Sequence, residues 1–148
     1  MDVSDRILIQ DLLARYNMAG DSGRIEEVAE TFAPDGILET PLWRAQGPAD
    51  IIAALQSGGS VGERRPRFLR HNLTTSKVEL LDRLSASGRT YFMVLTDIGL
   101  DHCGIYMDRF ARIDGSWLIA HRQVWIDWKS EQSLFEKQRL GRPPRLAS

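Results

Sequence analysis

Cysteine is nearly absent. One residue, Cys103, stands in a chain of 148, so an internal disulfide is excluded, and no paired Cys/His spacing exists for zinc. An excess of either charge is missing too. Nineteen basic residues against 20 acidic ones leave a net charge of −1, too little for a field that would hold DNA, RNA or an acidic membrane. No stretch approaches the ~20 apolar residues of a membrane span; after Arg89 the longest uncharged stretch is Thr90 to Thr96, the length of a strand. The opening Met1-Asp2-Val3-Ser4-Asp5 lacks the basic start and apolar core of a signal peptide, and a cytoplasmic chain is expected. Internal repeats and phosphate-binding glycine loops are also missing. No His/Asp/Glu trio has metal-ligand spacing, so neither a metal nor a cofactor is expected.

What is present is ordinary globular composition. Hydrophobic residues make up 43% of the chain, too many for disorder at this low net charge. The length suits one domain, and a chain of about 150 residues buries roughly 68–70% of its extended surface without staples.

The pattern changes halfway. Ile9, Leu12, Leu13, Tyr16 and Gly20 recur at helical spacing, with Asp2 or Ser4 available as a cap. Gly20-Asp21-Ser22-Gly23 breaks the chain, and Ile25, Val28, Ala29 and Phe32 predict a second helix ending at Ala33-Pro34-Asp35-Gly36. Short extended pieces follow around Ile37 and Trp43. Gly47-Pro48 opens a third helix, lined by Ile51, Ile52 and Leu55 and ended by Ser57-Gly58-Gly59-Ser60. From Arg67 four strands are expected, at 67–81, 88–100, 103–113 and 116–128, with Asp114-Gly115 a strong hairpin signal. Helices followed by strands predict an α+β fold, with a long antiparallel meander curved around the helices to enclose a cavity. The domain is expected at residues 1–130 and a polar C-terminal tail at 131–148, as a loose end, a lid or a dimer contact.

Four polar residues are placed to do chemistry there: Tyr16, Asp21, His71 and Arg122. Asp21 ends the first helix and could equally cap the next. Helical spacing puts it about 140° from Tyr16, so the two meet only if the helix loosens. His71 lies in a strand-like segment and would be a base if a carboxylate fixed its tautomer, or else an ordinary packed histidine. Arg122 stands among Leu118, Ala120, Val124 and Ile126, where a substrate oxygen or a buried acid would meet its charge. His102 is expected at a strand turn near the cavity mouth, and His121 on the opposite strand face from Arg122. Glu63-Arg64-Arg65-Pro66-Arg67 is a solvated loop or a contact for an anionic substrate tail. Trp117, Trp125 and Trp128 suit packing or a dimer surface.

Together, Tyr16-x4-Asp21, His71, Gly104-x-Tyr106-x-Asp108-x-Phe110-x-Arg112-x-Asp114-Gly115-x-Trp117 and Arg122 resemble the SnoaL-like branch of the nuclear transport factor two-like superfamily. The opening Ile9-Gln10-Asp11-Leu12-Leu13-Ala14-Arg15-Tyr16 and the Phe32-x2-Asp35-Gly36 step are similar as well. The resemblance covers roughly residues 4–128 and implies a cone-shaped α+β barrel, a homodimer or homotrimer, with a deep pocket. Within the branch, scytalone dehydratase, bile acid dehydratase and hexachlorocyclohexane dehydrochlorinase share an Asp–His dyad that Asp21 and His71 match in order and separation. Tyr16 matches the bile acid dehydratase tyrosine, and Arg122 the last-strand arginine of the dehydrochlorinase. The implied activity is proton abstraction by His71, oriented by Asp21 and assisted by Tyr16 and Arg122, on a small aromatic or polycyclic substrate. Dehydration is expected foremost; isomerisation, retro-aldol release of formaldehyde, or a non-catalytic role like that of a ring-hydroxylating dioxygenase β subunit are the alternatives. Trp43, Phe68, Met93, Leu95, His102, Tyr106 and Ile126 are the expected substrate-binding residues.

Overall fold

A computed structural model describes residues 2–59 and 61–144. Ser60, named above, and residues 145–148 of the expected tail lie outside the described residues. The chain opens with helix α1 (Val3–Asp21), whose first N–H groups are met by the Asp2 side chain, 2.9 Å from the Ser4 amide. Its Ile9, Leu12 and Leu13 are buried at helical spacing against the sheet. Helix α2 (Ile25–Ala29) is shorter than the sequence predicts. Phe32 already belongs to strand β1 (Phe32–Glu39), despite Pro34. The register slips between Phe32 and Ile37, and proline is tolerated in a strand at such an irregularity. Strand β2 (Arg44–Gln46) and helix α3 (Pro48–Gln56, proline in its first turn) follow as expected.

Four long strands complete the chain: β3 (Leu69–Leu80), β4 (Ser85–Thr96), β5 (Gly99–Ile113) and β6 (Ser116–Lys129). Asp114 and Gly115, at φ 49° and 82°, turn β5 into β6 with the two left-handed residues that a tight hairpin needs. The sheet order is β2-β1-β6-β5-β4-β3. The meander is antiparallel, but β1 lies parallel to β6, so the curved sheet is mixed and does not close into a barrel. The helices fill its concave side and make an α+β cone. Ile9, Leu12, Ile51, Phe110 and Ile119 form the main core; Phe92, Val94, Tyr106 and Ile126 form a second cluster higher in the sheet. Each such buried side chain contributes about 1.5–3 kcal/mol.

Two bulges set which residues point inward. In β5, Val94 pairs with His102 but Leu95 with Leu100, leaving Asp101 as the extra residue. In β6, Arg109 pairs with His121 but Phe110 with Ile119, leaving Ala120 over. Below that bulge Trp117 and Ile119 face inward rather than Leu118; above it Arg122 is buried. The segment after residue 130 is not loose at its start. Ser133, Leu134 and Phe135 are buried, so the packed body runs past the expected boundary at residue 130.

Candidate active site

The helix–sheet interior encloses a cavity of about 250 Å³ lined by Tyr16, His71, Phe92, His102 and Tyr106, among others. A larger trough of about 630 Å³ lies across the sheet around Lys77, Arg89 and Arg109. Its charged groups are largely engaged, Lys77 with Glu79 and His121 with Glu39. The interior cavity, walled by aromatic and aliphatic side chains with a few polar groups, is the better match to a small-molecule site.

Asp21 and His71 meet. The Asp21 Oδ1 lies 2.6 Å from His71 Nδ1, while Oδ2 accepts the His71 backbone N–H at 2.9 Å. Both carboxylate oxygens thus serve one residue of β3, and Asp21 does not cap α2, whose N-cap is Arg24. The contact places the ring proton on Nδ1 and leaves Nε2 with its lone pair. Only 9% of the Asp21 side chain and 21% of the His71 side chain are exposed.

Helix α1 does not loosen before Asp21, and Tyr16 reaches the cavity from one turn deeper. Its ring packs edge-on to Tyr106 with centroids 6.1 Å apart, and Tyr106 stacks on Phe92 at 4.4 Å. Tyr106 donates its hydroxyl proton to Asn17 Oδ1 at 3.1 Å. Burial pushes the Tyr16 hydroxyl above its ordinary pKa against the opposing charge of Arg122, and burial also holds Tyr106 well above. Both are therefore neutral donors at physiological pH.

Arg122 is fully buried but does not line the cavity. It donates from Nε and Nη2 to the two oxygens of Asp108, each at 2.8 Å. The buried acid, not a substrate oxygen, is what meets its charge. Its guanidinium lies 4.2 Å from the Tyr16 ring centre and 4.0 Å from that of Tyr106, so it sets both rings in place.

His102 is not at a turn. Asp97-Ile98 form the turn, and His102 is buried in β5. Its Nδ1 is 2.7 Å from Asp101 Oδ1. Asp101 also accepts from the Thr96 hydroxyl at 3.1 Å, the Ser133 hydroxyl at 2.6 Å and the Leu134 amide at 2.9 Å. Burial opposes the Asp101 charge, but the bonds from Ser133, His102 and Leu134 outweigh it and hold its carboxyl below the usual value. Burial, opposed by Asp101, lowers the His102 pKa to about 4. His102 is thus a neutral wall of the cavity.

Of the expected substrate contacts, Trp43, His102 and Tyr106 line the cavity. Met93 and Leu95 do not: inward positions of β4 are Phe92 and Val94, and Met93 and Leu95 are exposed with Tyr91 on the other face. Phe68 is also exposed, and Ile126 is buried in the second core cluster. Asn17, Phe92, Val124, Phe135 and Gln138 were not foreseen. Phe92 and Val124 flank Tyr106 across the sheet and follow once register is known; Phe135 and Gln138 lie beyond any periodic pattern.

Residues 1–123 match the SnoaL-like domain family, and the chain belongs to that family. No curated protein matches it. Among solved structures, a protein from Catenulispora acidiphila in complex with S-DNPA is 30% identical, with 85% of this chain and 96% of that chain covered and a TM-score of 0.73. A protein from Novosphingobium aromaticivorans, provisionally assigned as a scytalone dehydratase, is 18% identical over 99% of this chain and 97% of its own, TM-score 0.79. ActVI-ORFA from Streptomyces coelicolor is 22% identical, covers 84% and 98%, and has a TM-score of 0.74. These structures share the fold, and the Catenulispora acidiphila protein is the one of the three described with a bound compound.

Proposed function

We propose that this protein is a cofactor-independent lyase, a dehydratase acting on a small hydroxylated aromatic or polycyclic compound in the cytoplasm. The observation that carries the reading is the Asp21–His71 contact at the wall of a largely apolar cavity. His71 Nε2 takes a proton from carbon. The electron pair left behind forms the new double bond as the carbon–oxygen bond breaks, and Tyr16 protonates the departing oxygen to water. The proton on His71 returns to Tyr16 through solvent. Asp21 fixes the tautomer and stabilises the imidazolium; Arg122 acts as a positioning residue through Tyr16. The family membership and the dehydratase-like neighbour support the same class.

The test is a panel of hydroxylated naphthalenes and steroid-like alcohols, followed by absorbance for new conjugation and by a formaldehyde assay. Elimination without formaldehyde is expected. His71→Ala and Asp21→Asn should each lower turnover by about 10²–10⁴-fold. Full turnover in both variants refutes the dyad, formaldehyde release makes it a carbon–carbon lyase, and co-purification with a large iron protein makes it an assembly subunit.

A further inference from the structure

The cavity contains one formal charge of its own. Arg65, from the basic run before β3, is the only charged residue among the side chains that line it. The nearby carboxylates Asp21 and Asp101 stand behind His71 and His102, and their oxygens are taken by hydrogen bonds. Arg65 is exposed to solvent and forms no ion pair with any described residue. His102 and Tyr16, which line the same cavity, are neutral.

The loop before it passes beside this guanidinium. Gly58 and Gly59 close helix α3 at φ 92° and 51°, a conformation that side chains rarely adopt. A Cβ at Gly58 would stand 3.4 Å from Arg65 Nη2, which puts the guanidinium next to this turn at the cavity edge. Both glycines line the same cavity as Arg65. The C-terminal end of α3 also presents the partial negative end of the helix, which favours a cation there without neutralising it.

We infer that Arg65 is a specificity-determining residue that selects substrates bearing a carboxylate at the end remote from the reacting carbon. This inference rests on the cavity being the substrate site and deepens the reading above by naming the substrate class. An unpaired guanidinium offers two parallel N–H donors to a carboxylate, the geometry a point charge cannot match. An anionic substrate is also kept in a cavity whose other walls are neutral.

The experiment is calorimetric titration of the full chain with 2-naphthylacetate and with its neutral counterpart 2-naphthylacetamide, at low and at high salt. A charge-assisted contact open to solvent is worth about a two- to fivefold preference for the acetate, shrinking with salt. Arg65→Gln should bring the acetate to the affinity of the amide, and Arg65→Lys should keep part of the preference. Equal binding of the two probes, a preference that survives Arg65→Gln, or no binding of either overturns the inference. Because His71→Ala binds without turning over, the two readings separate. An acetate preference in a chain that eliminates nothing refutes only the dyad, whereas elimination without any preference refutes only the role of Arg65.

Discussion

Replacing Asp108 by alanine removes the one carboxylate, among the described residues, that pairs with a guanidinium no solvent reaches. Both side chains of the pair are 0% exposed, and both carboxylate oxygens are engaged at 2.8 Å. The cost is therefore that of an uncompensated buried charge, about 3–5 kcal/mol, and not the fraction of a kcal/mol that an exposed pair contributes. Arg122 cannot escape by losing its proton, because a guanidinium stays protonated inside proteins. Its two aromatic neighbours, at 4.2 and 4.0 Å, return only about 0.5–2 kcal/mol each and already do so in the native chain. Against a typical total stability of about 5–15 kcal/mol, Asp108→Ala should leave a domain close to its limit. Urea unfolding followed by tryptophan fluorescence measures this, with the slope checked for constancy. Arg122→Met should lose a similar amount by stranding Asp108. The double variant Asp108→Leu with Arg122→Met should be less damaged than the sum of the singles by at least about 2 kcal/mol, since it strands neither charge. Additive losses, or a cost for Asp108→Ala below about 1 kcal/mol, would refute the account of this pair.

Acid should destabilise the fold through His102. Its folded pKa of about 4 lies below the unfolded value near 6.5, so the unfolded chain binds the extra proton and stability falls as pH drops through that window, by about 2–3 kcal/mol at pH 4.5. Urea midpoints from pH 7 to 4.5 should show this slope, and His102→Gln should flatten it; an unchanged slope refutes the assignment. The outward row Tyr91, Met93 and Leu95, with Leu100 and Trp128 on the adjoining strands, suits a second copy of this chain. Sedimentation should give an oligomer that Met93→Glu with Trp128→Glu converts to a monomer, and a native chain that sediments as a monomer ends that proposal.

The hairpin, α1 and α3 were legible because each has a local cause: Asp114-Gly115 for the turn, a side-chain cap at Asp2, proline after Gly47. The pairing of Asp108 with Arg122 was not. Counting back from the hairpin turn without a bulge sets Asp108 opposite His121, and only the extra Ala120 moves Arg122 into that place. A bulge has no strong sequence mark here, because Ile119, Ala120 and their neighbours would pack either way. The same holds for β4. Tyr91 to Leu95 is apolar at every position, so alternation gives no hint of which side is inside, and Met93 and Leu95 were set on the wrong face. The Asp21–His71 contact was suggested by family resemblance, and its geometry could come only from the tertiary fold, since it joins a helix end to a strand 50 residues later. Arg65 looked like a solvated charge because nothing local distinguishes it from Arg64 or Arg67.

The four-donor Asp101 fastens the segment after the last strand to the finished sheet. Thr96 and His102, two of its donors, belong to the strands themselves. Ser133 and Leu134 supply the other two, and Phe135 lays its ring 4.7 Å from that of His102. A chain cut after residue 129 would keep all six strand sequences and lose one apolar wall of the cavity, a scaffold with an unlatched door.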